Sequence, residues 1–456
     1  MAALDGIGLP GDAAYESAIR VFNLAAPLAP AAAITVGDVE QIRAALRYAR
    51  QRGLGVRVIS TGHASASERP MADSLLVRTE MAGAVEVDVA RRVARVPAGT
   101  PWRAVVDATT PHGLLPPHGS AGTVGAVGYL LRGGISFYGR KVGLASNSVR
   151  AVELVTADGS LLRADGETNA DVLWALRGGG GGFGVVTSVE VALFPATDVV
   201  TGAAFWPGEV AGSVLSTWLA WIRDAPDVVT TTLRVLNLPP VPEVPPALRG
   251  RTVVCVDGVV LASDSLADAL GVADTLLTPL RRIAEPIMDS WHGTTPGAVL
   301  ATHMDPEEPV PAQGDHMLLR DLGVDGAAEF LRLVGGSDSP LVLAGLRQLG
   351  GALAVPAVDG GALSCLDADL LYSAAGIPFD AAASAAIAGR LGEIRAALGP
   401  WDTGFTAPTF VESVGQPQRH LDAVRVGRAD AVRARLDPGG LFSGDIAVNA
   451  SAVRAA

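Results

Sequence analysis

The chain has 456 residues, enough for two domains or one large composite unit. Hydrophobic residues make up 49% of it, which excludes a disordered chain and points to a well-buried globular protein. A net charge of −12 argues against nucleic acid and anionic membrane surfaces as partners.

Residues 12–23 read as a short helix with Asp12 as its cap, followed by a strand near 32–35. Asp38 then starts a helix whose apolar face carries Val39, Ile42, Leu46 and Ala49, and Gly53 stops it. A strand over 56–60 completes a β-α-β opening. After a polar loop come a strand at 75–78, a hairpin over 85–97 and a helix over 100–110, with Thr100 as cap and Pro101 in the first turn. The stretch 111–147 is rich in Gly and too broken for one helix. A loop that long in a compact domain is usually functional. A hairpin over 149–163, a helix over 170–176, five glycines from Gly178 to Gly182 and a strand over 184–194 follow.

Beyond Pro195 the texture changes. Strands are expected at 231–236, 252–261, 341–349 and 362–372, and helices at 212–224, 265–280, 327–334 and 380–398. A last helix spans 422–436. β-α-β followed by hairpins is an α+β pattern and not a doubly wound parallel sheet. The expected organisation is a first domain over 1–198, a second over 199–410, and a return to the first over 411–456.

Cys255 and Cys365 are too few and too far apart for a disulfide framework or a zinc pattern, and the seven His show no metal spacing, so no metal site is expected. The acidic start is unlike a secretory signal, and no apolar run reaches the length of a membrane span. A cytoplasmic protein is the expectation.

Gly179-x-Gly181-x-x-Gly184 fits the dinucleotide fingerprint formally, but the order here is helix, glycines, strand. The fingerprint needs strand, glycines, helix. A tight glycine turn or a backbone cradle for another part of a ligand remain the two readings. Ser60-Thr61-Gly62-His63-Ala64 sits at the carboxyl end of a strand, where successive backbone N–H groups can face a phosphate. His112 and His118 read as polar loop residues.

These blocks, in this order, resemble the berberine bridge enzyme-like flavoproteins of the vanillyl alcohol oxidase superfamily, with an FAD-binding domain of the PCMH type. The resemblance runs through STGHAS, PHGLLPPHGSAGTVGAVG, RKVGLASNSVRAVELVTADG, NADVLWALRGGGGGFGVVTSVEV, LRQLGGAL and LDPGGLF. It implies a discontinuous FAD domain and an α+β substrate domain with an antiparallel sheet. It also implies FAD as cofactor, with His63 as the candidate for a covalent link. Ala121 stands where some members carry a second, Cys link. Ser60, Thr61, Gly62 and Ala64 would follow the pyrophosphate; Ser120, Thr123, Gly125, Gly128 and Gly133 the flavin and ribityl chain; Val185 the adenine side.

Several positions depart from the family pattern. Val142 replaces a Tyr, and Gly345 replaces a Glu that acts as acid or base over the flavin. Arg425-Val426 and Asp445-Ile446-Ala447 replace other family residues, and Arg132 precedes Gly133 and Gly134. Arg347, two residues from Gly345 and so on the same strand face, is a candidate for binding a substrate oxygen; Tyr372, Asp367 and Asp369, on the next expected strand, are weaker candidates for the active site. The resemblance implies an FAD-linked oxidoreductase acting on a small natural-product intermediate. The missing base points to an alternative, a redox-neutral cyclase on the same scaffold, where orientation drives ring closure. A flavin-binding protein without catalysis comes last.

Overall fold

The computed structural model describes residues 6–336 and 338–442. The opening unit forms as its caps dictate. Asp38 accepts the Gln41 amide and starts the helix Val39–Arg52, and Gly53, at φ 66°, ends it in the left-handed region that glycine enters without strain. Its apolar face covers a parallel sheet of Ala32–Val36, Gly55–Ile59 and Ser74–Thr79. The first two strands do not pair with each other, because Ser74–Thr79 lies between them.

A five-stranded antiparallel sheet follows, in the order Glu86–Asp88, Val93–Pro97, Val185–Ala192, Val149–Val155, Leu161–Asp165. Both expected hairpins are in it. The helix Trp102–Thr109 begins one residue later than its sequence suggested, with Pro101 at the cap position. The Gly-rich stretch holds two short helices, Ala126–Leu131 and Gly139–Val142.

The third sheet is antiparallel and eight-stranded. Its main path runs Met288–Asp289, Val199–Pro207, Thr252–Leu261, Val229–Asn237, Leu343–Gln348, Leu370–Gly376, Gln313–Leu319, and His292–Thr294 also pairs with Val199–Pro207. Val199–Pro207 and Gln313–Leu319 were not expected from sequence. The strand expected at 362–372 begins only at Leu370, because Leu363 and Leu366 turn into a separate apolar cluster with Ile135 and Leu353. One face of this sheet carries the helices Ala211–Ile222, Leu266–Ile283, Gly323–Val334 and Ala381–Leu398 over a core with Trp206, Trp218 and Phe330. The architecture is α+β. The helix Ala423–Leu436 buries Ala429 and Val432 against Leu176 and Phe183, and the Val56 amide donates to the Leu441 carbonyl at 2.8 Å, so the end of the described chain returns to its beginning.

Three histidines, His118, His316 and His420, are buried within this frame, and His63 is half-buried. His316 holds the segment after Ala407 to the third sheet: its Nε2 accepts the Ala407 amide at 3.0 Å, and its Nδ1 meets Gln416 Nε2 at 2.7 Å. His118, read from sequence as a polar loop residue, is buried edge-on against Tyr138, with Nδ1 at 2.7 Å from the Gly119 carbonyl. Burial pulls His316 down to about 3, and His63, His118 and His420 to about 4. These groups fold neutral, so their contribution is complete above the unfolded value of 6.5 and is lost as pH falls toward the folded values. Each can remove up to about 1.4 kcal/mol per pH unit. The carboxyl of Glu412, raised from 4.5 to about 7 by burial, opposes them by one proton between those values. Urea unfolding is expected to show a lower stability at about pH 5 than at about pH 7, with net proton uptake on unfolding at the acid end, where a His of unchanged pKa contributes none; a flat profile would contradict the neutral burial of these rings.

Candidate functional site

A cavity of about 340 Å³ runs between the first two sheets and the third. Its first wall is the loop after Gly55–Ile59. Arg78, buried in the middle strand, donates to the carbonyls of Ala18, Ser60 and Arg20, and so fixes the start of this loop. Gly62, at φ 77°, passes so close to Val21 that a Cβ would lie 2.8 Å from its Cα. The His63 ring stacks on Phe22 with centroids 3.8 Å apart and planes 16° apart. Burial lowers its pKa to about 4, against a backbone hydrogen bond at Thr123 that raises it.

The second wall is the Gly-rich stretch. The Gly125 amide donates to Thr61 Oγ1 at 3.1 Å, and a Cβ on Gly125 would lie 2.4 Å from Ser60 Oγ. Glycine at this position is what lets the two loops meet. Gly180 and Gly181 close one end. Gly184 reconciles the two readings of its motif: a Cβ there would sit 2.5 Å from the Val155 carbonyl, a close packing turn, while its backbone also lines the cavity.

Of the residues expected around the cofactor, Ser60, Thr61, Gly62, His63, Ala64, Ser120, Gly125 and Gly128 line this cavity. Three do not. Val185 points the other way, into the core with Val77 and Val155, because alternation along its strand sends Gly184 and Val186 to the cavity. Gly133 is spent on backbone bonds, donating to Leu130 and accepting from Ser146. Thr123 lies behind the lining with its hydroxyl buried and unpartnered.

The third wall is the outer face of the eight-stranded sheet. Arg347 reaches the cavity, its guanidinium 4.6 Å from the Phe137 ring centre and 5.8 Å from that of Phe410. It makes two long hydrogen bonds, 3.3 Å to Thr232 Oγ1 and 3.4 Å to the Ile135 carbonyl. Among the described residues no carboxylate lies within ion-pair distance of it, and burial pulls its pKa down while Asp257, Tyr129 and Asp305 push it back. Tyr372 is a correction. It pairs with Leu346, so it faces the opposite side of the sheet from Arg347 and sits in the helix-side core edge-on to Phe330. Asp367 is an exposed partner of Arg320, and Asp369 accepts the Asp321 amide; neither reaches the cavity.

Gly345 has a structural partner. Arg234 lies opposite it, and a Cβ at 345 would meet Arg234 Cγ at 2.9 Å. Arg234 itself contacts Asp257 at 2.5 Å, and Asp257 contacts His303 Nδ1 at 3.1 Å. Burial pushes the Asp257 carboxyl up, but Arg234 and His303 outweigh it and hold it below the usual carboxylate range. Val142 packs beside Tyr138 and Phe194, off the cavity. Arg425 pairs with Asp422 on the surface, and Asp445, Ile446 and Ala447 lie outside the described residues. The sequence reading missed Tyr129, Phe410 and Glu412, which all line the cavity. Only the Gly-rich context of Tyr129 could have signalled one of them.

The fit to a dinucleotide-sized cofactor rests on these walls. His63 Nε2, Ser65 Oγ and Tyr129 Oη are buried around the cavity without protein partners, and groups of that kind call for a bound ligand or water. Gly128 and Gly180 leave open space where a Cβ would stand. Comparison with known proteins names the ligand. Residues 30–165 match the family described as FAD binding domain. This segment is an FAD-binding domain. FAD is the cofactor of the chain. The chain is 27% identical over 317 residues to an uncharacterised FAD-linked oxidoreductase, YvdP, of Bacillus subtilis, covering 67% of this chain and 65% of that protein. It is 28% identical over 231 residues to (R)-6-hydroxynicotine oxidase of Paenarthrobacter nicotinovorans, covering 50% of this chain and 47% of the relative. The chain thus spans between about half and two thirds of these curated relatives' lengths. A berberine bridge enzyme-like protein of Physcomitrella patens superposes with a TM-score of 0.82 at 19% identity, covering 97% of both chains. 6-Hydroxy-D-nicotine oxidase of Arthrobacter nicotinovorans gives 0.82 at 20%, covering 98% of both. The fold is that of the berberine bridge enzyme-like proteins.

Two substitutions probe the geometry. Gly125→Ala is expected to weaken FAD binding at least tenfold, about 1.4 kcal/mol, and Ser60→Gly in the same chain to restore much of it, as followed by flavin fluorescence titration. Asp257→Ala leaves Arg234 buried without its carboxylate and is expected to cost about 3–5 kcal/mol in urea unfolding; a cost within about 0.5 kcal/mol would mean that the pair is solvated.

Proposed function

We propose that this chain is an FAD-linked oxidoreductase acting on a small natural-product substrate that presents an acidic or carbonyl oxygen to Arg347. The observation that carries this reading is Arg347 itself: a buried guanidinium, lining the cofactor's cavity, without a carboxylate partner among the described residues. An isolated buried charge is costly, and an anionic or strongly polar ligand oxygen offsets that cost. Phe137 and Phe410 hold the guanidinium plane in place, which fixes where that oxygen sits. Bound FAD supplies the redox chemistry, taking a hydride from the substrate and passing the electrons to an acceptor such as oxygen. The apolar lining from Val124, Val127, Leu131 and Ile135 keeps water from the reacting end. The naming of relatives as FAD-linked oxidoreductases and as 6-hydroxynicotine oxidase supports oxidation. His63 is the proposed covalent anchor. Ser60, Thr61, Gly62 and Ala64 are the proposed pyrophosphate contacts, and Ser120, Gly125 and Gly128 the proposed flavin and ribityl contacts. A cytoplasmic location is part of the same proposal.

A second reading is a redox-neutral cyclase with FAD as a structural wall. Gly345 favours it, because Arg234 fills the space into which a carboxylate at that position would project. One experiment separates the two. The purified protein is mixed anaerobically with a panel of hydroxylated aromatic and carboxylate-bearing compounds while the flavin band is recorded. Bleaching supports oxidation. Product formation with an unchanged band supports the cyclase, and absence of a flavin band sinks both. Arg347→Ala is expected to retain flavin and slow the reaction at least about 30-fold, near 2 kcal/mol. Flavin released by acid precipitation would overturn the covalent link at His63.

A further inference from the structure

We propose that Glu412 is the acid–base group of this cavity, the carboxyl that exchanges a proton with the substrate held at Arg347. The proposal rests on the oxidoreductase reading above and supplies what that reading lacks, a base. In the forward direction the substrate's acidic hydrogen passes to Glu412 as a proton while its second hydrogen leaves with two electrons as hydride, oxidised FAD being the co-reactant.

Three features of the geometry carry it. Glu412 lines the same cavity as Arg347, Phe410 and Tyr129, and no hydrogen bond to its carboxylate is made by the described residues. The segment that bears it is held rigidly. The Glu412 amide donates to Gln416 Oε1 at 2.7 Å, Gln416 Nε2 meets His316 Nδ1 at 2.7 Å, and the Ala407 amide donates to His316 Nε2 at 3.0 Å. The sheet beneath is shaped to admit the side chain. Gly314 lies against it, and a Cβ there would stand 3.2 Å from Glu412 Cγ. A carboxyl on an anchored loop, aimed into a cavity and left without a protein partner, is built for a ligand and not for a salt bridge.

Its surroundings set its proton affinity. Burial raises the Glu412 carboxyl to about 7, with Arg132 pulling it down. Arg132 is shared with Glu68 at 3.4 Å, and Glu68 also lies 3.9 Å from Arg57. Arg347 and Tyr129 face the cavity from the sheet and the Gly-rich stretch, and His63 from the first loop. His63, His316 and His420 stay neutral down to about 4, 3 and 4, so none of them titrates with Glu412. Behind the clamp, Asp315 is paired with Arg395 at 2.5 Å. A general acid or base works best with a pKa near the operating pH.

The test uses the FAD-loaded protein and its flavin-free form, with Glu412→Gln and Glu412→Asp. Difference infrared spectra are recorded from about pH 5 to about pH 9, following the carbonyl stretch of a protonated carboxyl. The wild-type protein in both forms is expected to show one carboxyl titrating near neutral pH. That band should vanish in Glu412→Gln and return with a moved midpoint in Glu412→Asp, and the visible band of bound FAD should shift with the same midpoint. A wild-type protein without such a band overturns the proposal, as does a band that survives in Glu412→Gln, or one to which the flavin is blind. Failure of the oxidoreductase reading shows elsewhere, as an absent flavin band or a flavin that no compound bleaches, and the infrared titration of the flavin-free protein stands apart from it.

Discussion

The cavity depends on one close approach, that of Gly125 to Ser60. The first loop is the carboxyl end of a parallel strand, and the second belongs to a long irregular stretch between two sheets. They share no hydrogen-bonded ladder. What joins them is the 3.1 Å bond from the Gly125 amide to Thr61 Oγ1, made possible because no Cβ intervenes. Arg78 makes the first loop stiff enough for this to matter, since its guanidinium ties the carbonyls of three separate residues together from inside the sheet. Ser60 to Ala64 line this wall without a cationic or anionic side chain among them, His63 being held neutral. Where successive backbone amides of such a loop face an anion, their dipoles supply positive potential without a cationic side chain.

The third sheet contributes through alternation. Each strand shows one set of side chains to the helices and the other to the cofactor side. The helix side is apolar, with Trp206, Trp218, Phe330 and Tyr372 in one core. The cofactor side carries Arg234, Asp257 and Arg347, all buried. The same rule separates Val185 from Val186 in the second sheet. A shift of a single residue in register would exchange these faces, so the pattern that builds the core is also the one that selects the groups facing the cavity.

The legible part of this architecture was local. Asp38 and Gly53, Asp380, and the turn at Asp158 and Gly159 carry their own capping and turn chemistry, and the helices and hairpins they bound lie where the residues imply. Motif order exposed the loops that line the cavity for the same reason, since glycine requirements are written into single positions. The strand Val199–Pro207 was hidden because both its faces are buried, which removes the period-two signal. Tyr372 was misplaced because register between strands is set by pairing across the sheet, and no residue within its own strand encodes it. Glu412 lay in a segment without periodicity, and what makes it notable, the clamp by His316 and the space at Gly314, joins positions about a hundred residues apart.

Arg234 lies opposite Gly345, the position at which the family resemblance implies a carboxylate. Its stem occupies the space above the glycine, and its charge is answered by Asp257, which His303 also contacts. Asp257 answers the charge of Arg234, and none of Arg234, Asp257 and His303 lines the cavity, although Arg234 and Asp257 share the sheet face of Arg347. Arg347, two register positions along the sheet, has no such partner among the described residues and is left with two long hydrogen bonds and two aromatic neighbours. Desolvating a guanidinium without a partner is costly, whereas a carbonyl or acidic oxygen placed beside it recovers that cost at the moment of binding. With Arg234 answered by Asp257, the unanswered positive charge of this face is concentrated at Arg347, which lines the cavity.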